Sequence, residues 1–204
     1  MYVRTSHQPR SAADVLEVMR ENMFATMVTY GPDGAVASHL PFMVDESRGE
    51  RGALLAHMAR ANPQSSAIGS GGEALVIFLG PHAYISPSWY DDRATAPTWD
   101  YVAVHCYGTP RRHSDEEALQ NIERLIGVVE RPAPEGWSVS ELTPESVQAL
   151  LQNVVSFEIP ISRIEGKFKV NQGEKPARNR AAIEQLERQG SGALAAYMRR
   201  YNDL

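Results

Sequence analysis

A histidine, an arginine and an asparagine stand within one short stretch, His57-Met58-Ala59-Arg60-Ala61-Asn62, followed by Pro63 and Gln64. All three side chains donate hydrogen bonds, and the arginine keeps its charge at any working pH. The apolar run Leu54-Leu55-Ala56 before them reads as a buried strand. Asn62-Pro63 reads as a helix start, with Asn62 as N-cap and Pro63 at the first helical position. A strand running into a helix N-terminus offers free backbone N–H groups and the positive end of a helix dipole. A phosphate suits such a corner, with Arg60 and His57 as further donors. The plainer reading of the same residues is a buried histidine satisfied by backbone and a solvated arginine.

Other polar and aromatic groups cluster elsewhere. In Gly166-Lys167-Phe168-Lys169-Val170-Asn171-Gln172 an extended backbone puts Lys167 and Lys169 on one face, where they could close on a phosphate or simply be solvated. Tyr84, Trp89, Tyr90, Trp99 and Tyr101 crowd one loop; aromatics with polar tips either stack on a flat ligand or fill a core. Ser38 and His39 precede Leu40-Pro41, where a proline breaks an apolar run and leaves an edge, a bulge or a ligand-facing gap. The chain has no G-x-G-x-x-G, no Walker-type loop, no paired cysteines and no H-E-x-x-H. The six histidines never fall at i, i+4, so a metal site is not expected. Ser86 and Ser88 lie outside any G-x-S-x-G elbow, which leaves a hydrolase without support.

The elements that must position these groups are legible from periodicity and punctuation. Ser11 with Asp14 forms a capping box opening a helix to about Glu21. Strands are expected over residues 23–30 and 35–44, joined by Gly31-Pro32-Asp33-Gly34, with Pro41 interrupting the second. A third strand covers 53–59, and a short helix follows from Pro63 to about Ile68. The apolar strand 74–79 is expected to break at Gly80-Pro81, with a short strand at 82–87 and a loop from Ser88 to Asp100. A strand spans 101–111. Ser114 to Glu117 is a capping box for a helix to about Arg131, ended by Pro132 and Pro134. Thr143-Pro144 opens a short helix to about Gln152, strand 154–161 follows, and 164–170 extends it. Helices close the chain over 176–189 and from Ser191 to Tyr201. Strands in direct succession mean antiparallel pairing. The expected class is therefore α+β, a small antiparallel barrel or sandwich with appended helices.

At 204 residues and 43% hydrophobic the chain can bury a sizeable core. No apolar run approaches the ~20 residues a membrane helix needs. The first residues lack an apolar signal core, so a cytoplasmic location is the expectation. The single cysteine, Cys106, lies in an apolar run and reads as an inert buried thiol. The net charge of −5 is unevenly spread: Arg163 to Arg200 carries nine Lys/Arg against four Asp/Glu, and the rest of the chain eleven against twenty-one. That basic C-terminal section could meet a cofactor phosphate, an acidic face or nucleic acid; charge runs of this kind are commonly solvated helix faces.

Several stretches closely resemble the PaiB-like family, known as FMN-binding negative transcriptional regulators. They are Ala37-Ser38-His39-Leu40-Pro41-Phe42, His57 to Gln64, Gly80 to Tyr90, Pro97-Thr98-Trp99-Asp100-Tyr101 and Ile164 to Lys169, in the right order and spanning nearly the full chain to about Arg180. The resemblance implies an FMN-binding split barrel with peripheral helices, the fold shared with pyridoxamine-phosphate oxidases and flavin reductases, working as a homodimer with the flavin at the subunit interface. By that analogy Ser38, His39, Leu40 and Pro41 line the isoalloxazine. His57, Met58, Ala59, Arg60 and Asn62 hold the ribityl phosphate. Trp99, Tyr101, Lys167 and Lys169 approach from the partner chain or the barrel rim. The chain departs from the family where Val170-Asn171-Gln172-Gly173 stands for a usual Leu-Ser-Gln-Asn, and where Ser65 and Ser66 follow Gln64 in place of a bulky residue. The expected organisation is a split-barrel domain over 1–173 and a helical extension over 174–204, packed on the barrel or the dimer partner. Two functions follow: a flavin-binding regulator, touching DNA if at all through the basic C-terminal section, and an FMN-dependent oxidoreductase of the flavin-reductase or pyridoxamine-phosphate-oxidase kind using a nicotinamide donor. A flavin or haem-related carrier without turnover is the third. No general acid for a defined substrate stands out, and fold does not decide among them.

Overall fold

The structure, a computed structural model, describes residues 1–32, 34–130 and 136–204. Asp33 of the first hairpin turn, and Arg131, Pro132 and Pro134 at the expected end of the third helical segment, lie outside the described residues. In chain order the elements are α1 (Ala12–Glu21), β1 (Phe24–Gly31), β2 (Gly34–Pro41), β3 (Met43–Asp45), β4 (Ala53–Ala59), β5 (Ala74–Ile85), β6 (Thr98–Gly108), β7 (Arg111–Arg112), α2 (Asp115–Val129), α3 (Pro144–Gln152), β8 (Val154–Pro160), β9 (Arg163–Lys169), α4 (Pro176–Arg188) and α5 (Gly192–Tyr201). The class is α+β with antiparallel sheets. The chain divides into two compact units, one of residues 23–77 with 106–164, the other of residues 1–22, 78–105 and 165–204.

In the first unit β1 and β2 form an antiparallel hairpin from Phe24↔Pro41 to Gly31↔Gly34. The other edge of β1 pairs with the start of β5, Thr26↔Ile77 to Val28↔Leu75. Alternation sends Ala25, Met27 and Thr29 inward and leaves Phe24 and Tyr30 exposed. Pro41 does end the strand: Phe42 leaves the ladder, its N–H donating to Met23 O at 2.7 Å, and β3 joins a different sheet. That second sheet has the order β3-β4-β8-β7. β4 lies between β3 and β8, so Ala53 through Ala56 are all buried, as the unbroken apolar run requires. Its core includes Leu54, Leu55, Met58, Phe157 and Ile159, with Phe42 and Phe157 edge to face at 6.3 Å. Gly108 fits close against β8, where a Cβ would fall 2.2 Å from Pro160 O.

The charged residues of this unit are networked. Glu158, 1% exposed on β8, pairs with Arg48 and Arg111, and His113 Nε2 lies 3.6 Å away. Asp45 takes Arg48 at 3.1 Å, Arg124 at 2.9 Å and the Ser47 hydroxyl at 2.6 Å. Burial pushes the Glu158 carboxyl up, but hydrogen bonds and charge from Arg111 and Arg48 outweigh it and hold the group below its ordinary value. His113 is held below its ordinary value chiefly by burial.

In the second unit β6 lies between β5 and β9. Two sequence expectations are corrected here. β5 runs through Gly80-Pro81 without a break, because proline's fixed φ is compatible with an extended strand and Gly80 admits a close approach, where a Cβ would sit 3.2 Å from Val102 O. Thr98, Trp99 and Asp100, expected at the end of the 88–100 loop, belong to strand β6. In addition, 163–169 is a strand of its own, β9, in the sheet of β6. Helix α5 packs on Phe168, which stacks on Tyr201 at 5.2 Å and meets Tyr197 edge-on at 5.8 Å. Tyr201 donates to Asp14 at 2.7 Å and Tyr197 to Glu17 at 3.1 Å, tying α5 to α1. The Ser11–Asp14 capping box forms as expected, whereas Ser191 caps nothing with its side chain.

Candidate functional site

The corner after β4 is assembled inside the first unit. His57 is a half-buried strand residue, Met58 faces the core, and Ala59 and Arg60 are exposed. Asn62 caps the next turn through Gln64 N at 2.9 Å, with Pro63 first. The element is a five-residue 3₁₀ helix, Pro63–Ala67, and not an α-helix. One and a half turns sum few peptide dipoles, so the anion-attracting power of the corner has to come from side chains.

Those side chains connect two stretches that the sequence separates. Asn62 Nδ2 donates to Ser38 Oγ at 2.9 Å, joining the corner to β2. His39, one residue on, is exposed and shares a 2.9 Å hydrogen bond between its Nδ1 and Thr26 Oγ1; its ring lies 6.3 Å from Phe24. Leu40 is buried and Pro41 half-buried. Arg60 is differently used than its type suggests: Nε donates to Gln152 O at 2.6 Å and Nη2 to Val154 O at 2.8 Å, while its own N–H reaches Asn153 O at 2.8 Å. It clamps the end of β4 to the start of β8, leaving Nη1 and the net charge for a ligand. Arg60 also lines a cavity of about 760 Å³ between α2 and α3, whose wall carries Asp115 and Glu123. Those carboxylates make that side a poor home for a phosphate. His57 Nδ1 on β4 is buried and unpartnered among the described residues, with burial holding the imidazole below its ordinary pKa. An orphaned imidazole nitrogen and a Ser–Asn pair fit the anionic end of a nucleotide, to which Arg60 could turn only Nη1.

Gln64 is the residue sequence reasoning missed. It is 2% exposed, and its Nε2 reaches Met27 O at 3.2 Å, Thr29 Oγ1 at 3.0 Å and Val36 O at 3.0 Å. One amide thus pins the 3₁₀ helix to both strands of the hairpin. A glutamine in the first turn of a short helix gave no signal of this, because its partners are distant in sequence.

The remaining expected residues lie in the second unit. Trp99 is exposed, edge-on to Tyr84 at 6.1 Å and tilted against His82 at 6.5 Å. Tyr101 is half-buried with Lys167 Nζ over its ring at 5.2 Å. Lys169 bonds Thr98 Oγ1 and Trp99 O and lies 3.2 Å from Asp100 Oδ1. The two lysines therefore have separate partners and do not converge on one anion within the chain. Trp89 is half-buried and Tyr90 buried, which places Tyr90 with core filling. Cys106 is buried and its thiol pushed up to about 12 by burial, an inert thiol as its apolar neighbours suggest.

The chain's relatives can now be set against this geometry. Residues 1–163 match the family described as "Putative FMN-binding domain". The chain belongs to that family. It is 31% identical to the protease synthase and sporulation protein PAI 2 of Bacillus subtilis, over 92% of this chain and 89% of that protein. An uncharacterized protein of Emericella nidulans is 27% identical over 95% of this chain and 93% of its own length. Among solved structures, the flavocytochrome Anf3 of Azotobacter vinelandii superposes with TM-score 0.62 at 10% identity, covering 83% of this chain and 73% of that one. The FAD and heme binding protein of Mycobacterium smegmatis gives 0.60 at 14%, covering 83% and 76%. These likenesses confirm the split-barrel type of fold, and membership makes FMN the family's cofactor for this chain. No helix among the described residues is long and apolar enough to cross a membrane, and no group of three His, Cys, Asp or Glu among them could hold a metal.

Proposed function

We propose that this FMN-binding family member is a flavin-dependent regulator of gene expression that works as a homodimer. The observations carrying the flavin part are the Ser38–Asn62 hydrogen bond and the unpartnered His57 nitrogen, on residues of a chain whose family binds FMN. His57, Arg60 and Asn62 hold the phosphate end. Ser38 to Pro41 lie along the ring system, with Met58 and Ala59 as the backbone of the corner. Trp99, Tyr101, Lys167 and Lys169 serve the flavin of the twin subunit. FMN supplies any redox chemistry; the chain binds and orients it.

The dimer is supported by one face of the hairpin sheet. Phe24, Val28 and Tyr30 of β1 share that face with Leu75 and Ile77 of β5, and Phe24 and Tyr30 are 70% and 77% exposed. Aromatic side chains left this open on a regular sheet mark a surface that another protein covers. The regulatory role is supported by the 31% identity to the sporulation protein over nearly the full chain. The C-terminal cations support DNA contact weakly: Lys175 and Arg178 pair with Asp92, Arg199 with Glu187, and Arg200 with Asp14 and Glu17. Few are left to neutralise phosphates, so the regulator reading places the switch on the flavin.

The purified protein should show bands near ~375 and ~450 nm from bound flavin. It should also shift a promoter fragment in a salt-sensitive and FMN-dependent way. Anaerobic bleaching of the flavin by NADH or NADPH, without any effect on DNA, would replace this reading by a nicotinamide-dependent oxidoreductase.

A further inference from the structure

A second polar cavity, of about 230 Å³, lies wholly within the second unit, apart from the β4 corner. Its wall includes Arg4, His7, Tyr90, Thr98, Asp100 and Lys169. Asp100 is 1% exposed, and neither carboxylate oxygen has a hydrogen-bond partner among the described residues. Lys169 supplies charge at 3.2 Å, but its hydrogen bonds go to Thr98 Oγ1 and Trp99 O. His7 is 9% exposed and its Nδ1 is likewise unpartnered. Buried polar atoms are almost always bonded, so three orphaned atoms on one cavity wall mark places where a ligand's polar atoms belong. Arg4, exposed on the same wall, has no acidic partner among the described residues.

The chemistry of the wall narrows the ligand. An unpaired guanidinium takes a carboxylate, bidentate where geometry allows. The open oxygens of Asp100 take an N–H or O–H donor, and a neutral or singly charged donor is tolerated because Lys169 already balances part of the charge. The cavity is about a third the volume of the one between α2 and α3, which suits a molecule with few heavy atoms. Burial, opposed by Lys169, raises the Asp100 pKa to about 6, so at neutral pH the carboxyl is mainly an acceptor. We propose that this cavity binds a small carboxylic acid bearing an adjacent hydroxyl or amino group, with Arg4 on the carboxylate and Asp100 on the neighbouring donor. His7 Nδ1 takes a second polar atom of the same molecule. The cavity shares Lys169 with the contacts proposed for the twin subunit's flavin and shares no residue with the β4 corner.

Isothermal titration of the FMN-loaded protein with L-lactate, L-serine, acetate and ethanolamine tests it. Lactate or serine should bind saturably and at least tenfold tighter than acetate, which lacks the donor, and ethanolamine, which lacks the carboxylate. Asp100→Asn and Arg4→Met should each weaken that binding at least tenfold, and Arg4→Met should leave flavin absorbance per chain unchanged. Arg4 is exposed, so its variant keeps the test open should Asp100→Asn fold poorly. Failure of lactate and serine to exceed acetate and ethanolamine, or wild-type binding in Arg4→Met, overturns the site. Loss of flavin from the wild-type protein counts against the FMN reading instead.

Discussion

Asn62 Nδ2 donates to Ser38 Oγ across 2.9 Å, joining two residues 24 positions apart at the corner where β4 leaves its sheet. The same Asn62 accepts from Gln64 N through its Oδ1, so one side chain caps the 3₁₀ helix and fastens it to β2. Asn62→Ala should therefore cost about 1–2 kcal/mol of stability through the lost cap. Ser38→Ala removes only the cross-link and should cost about 1 kcal/mol. Both should lower FMN affinity, measured by flavin fluorescence recovery. Unchanged affinity in both variants would move the flavin away from this corner.

Arg60 and His57 separate stability from binding. Arg60→Ala deletes two hydrogen bonds to the carbonyls of Gln152 and Val154, so it should lower the unfolding free energy by about 1–3 kcal/mol as well as weaken FMN. His57→Ala breaks no hydrogen bond of its buried Nδ1, so beyond the packing lost by truncation it should act on FMN. Together the two should weaken cofactor binding by several kcal/mol, at ~1.5–3 per charged hydrogen bond. Urea unfolding of the apo proteins and equilibrium dialysis of FMN distinguish the contributions.

Gln64→Ala should be among the more damaging single changes in the first unit. It strips Met27 O, Thr29 Oγ1 and Val36 O of a shared buried donor. A loss of about 2–3 kcal/mol is expected in urea unfolding. Gln64→Glu should be worse, because a buried carboxylate would face two carbonyls.

The Glu158 network predicts an acid-labile component of stability. Its folded pKa is held below the unfolded value, so its contribution is complete above the unfolded carboxylate pKa and disappears as pH falls through the folded one. Glu158→Gln should destabilise by about 2–3 kcal/mol at pH 7, since Arg48 and Arg111 lose their shared counter-ion. The difference from wild type should shrink steadily as pH is lowered below ~4. A difference that stays constant from pH 7 to pH 3 would show that Glu158 acts by shape and not by charge.

The exposed hairpin face gives the test of assembly. Phe24→Glu with Tyr30→Glu puts two charges on a surface proposed to be covered, and both residues are too open to matter for folding of the single chain. Light scattering should report twice the chain mass for wild type and the single mass for the variant, with flavin lost alongside. A wild-type monomer would refute the dimer outright.

Much of this protein was readable from local pattern. The Ser11–Asp14 and Ser114–Glu117 capping boxes, the Asn62-Pro63 start and the continuous apolar run of β4 rest on interactions within a few residues, which sequence spacing expresses directly. The motifs spread through the chain were enough to point to the FMN-binding family, because they record a ligand and not only a fold. Tertiary structure alone decided what each polar group is used for. Arg60 turned to the carbonyls of the Gln152–Val154 segment, Gln64 became the pin of the hairpin, and the basic C-terminal section found its acids at Asp14, Glu17 and Asp92. β5 ran through Gly80-Pro81 because a strand's continuity depends on its neighbours and not on its own punctuation. The physical reason is the same in each case. A long polar side chain has many partners of similar energy, and which one it takes is set by what folding from distant sequence brings within 3 Å.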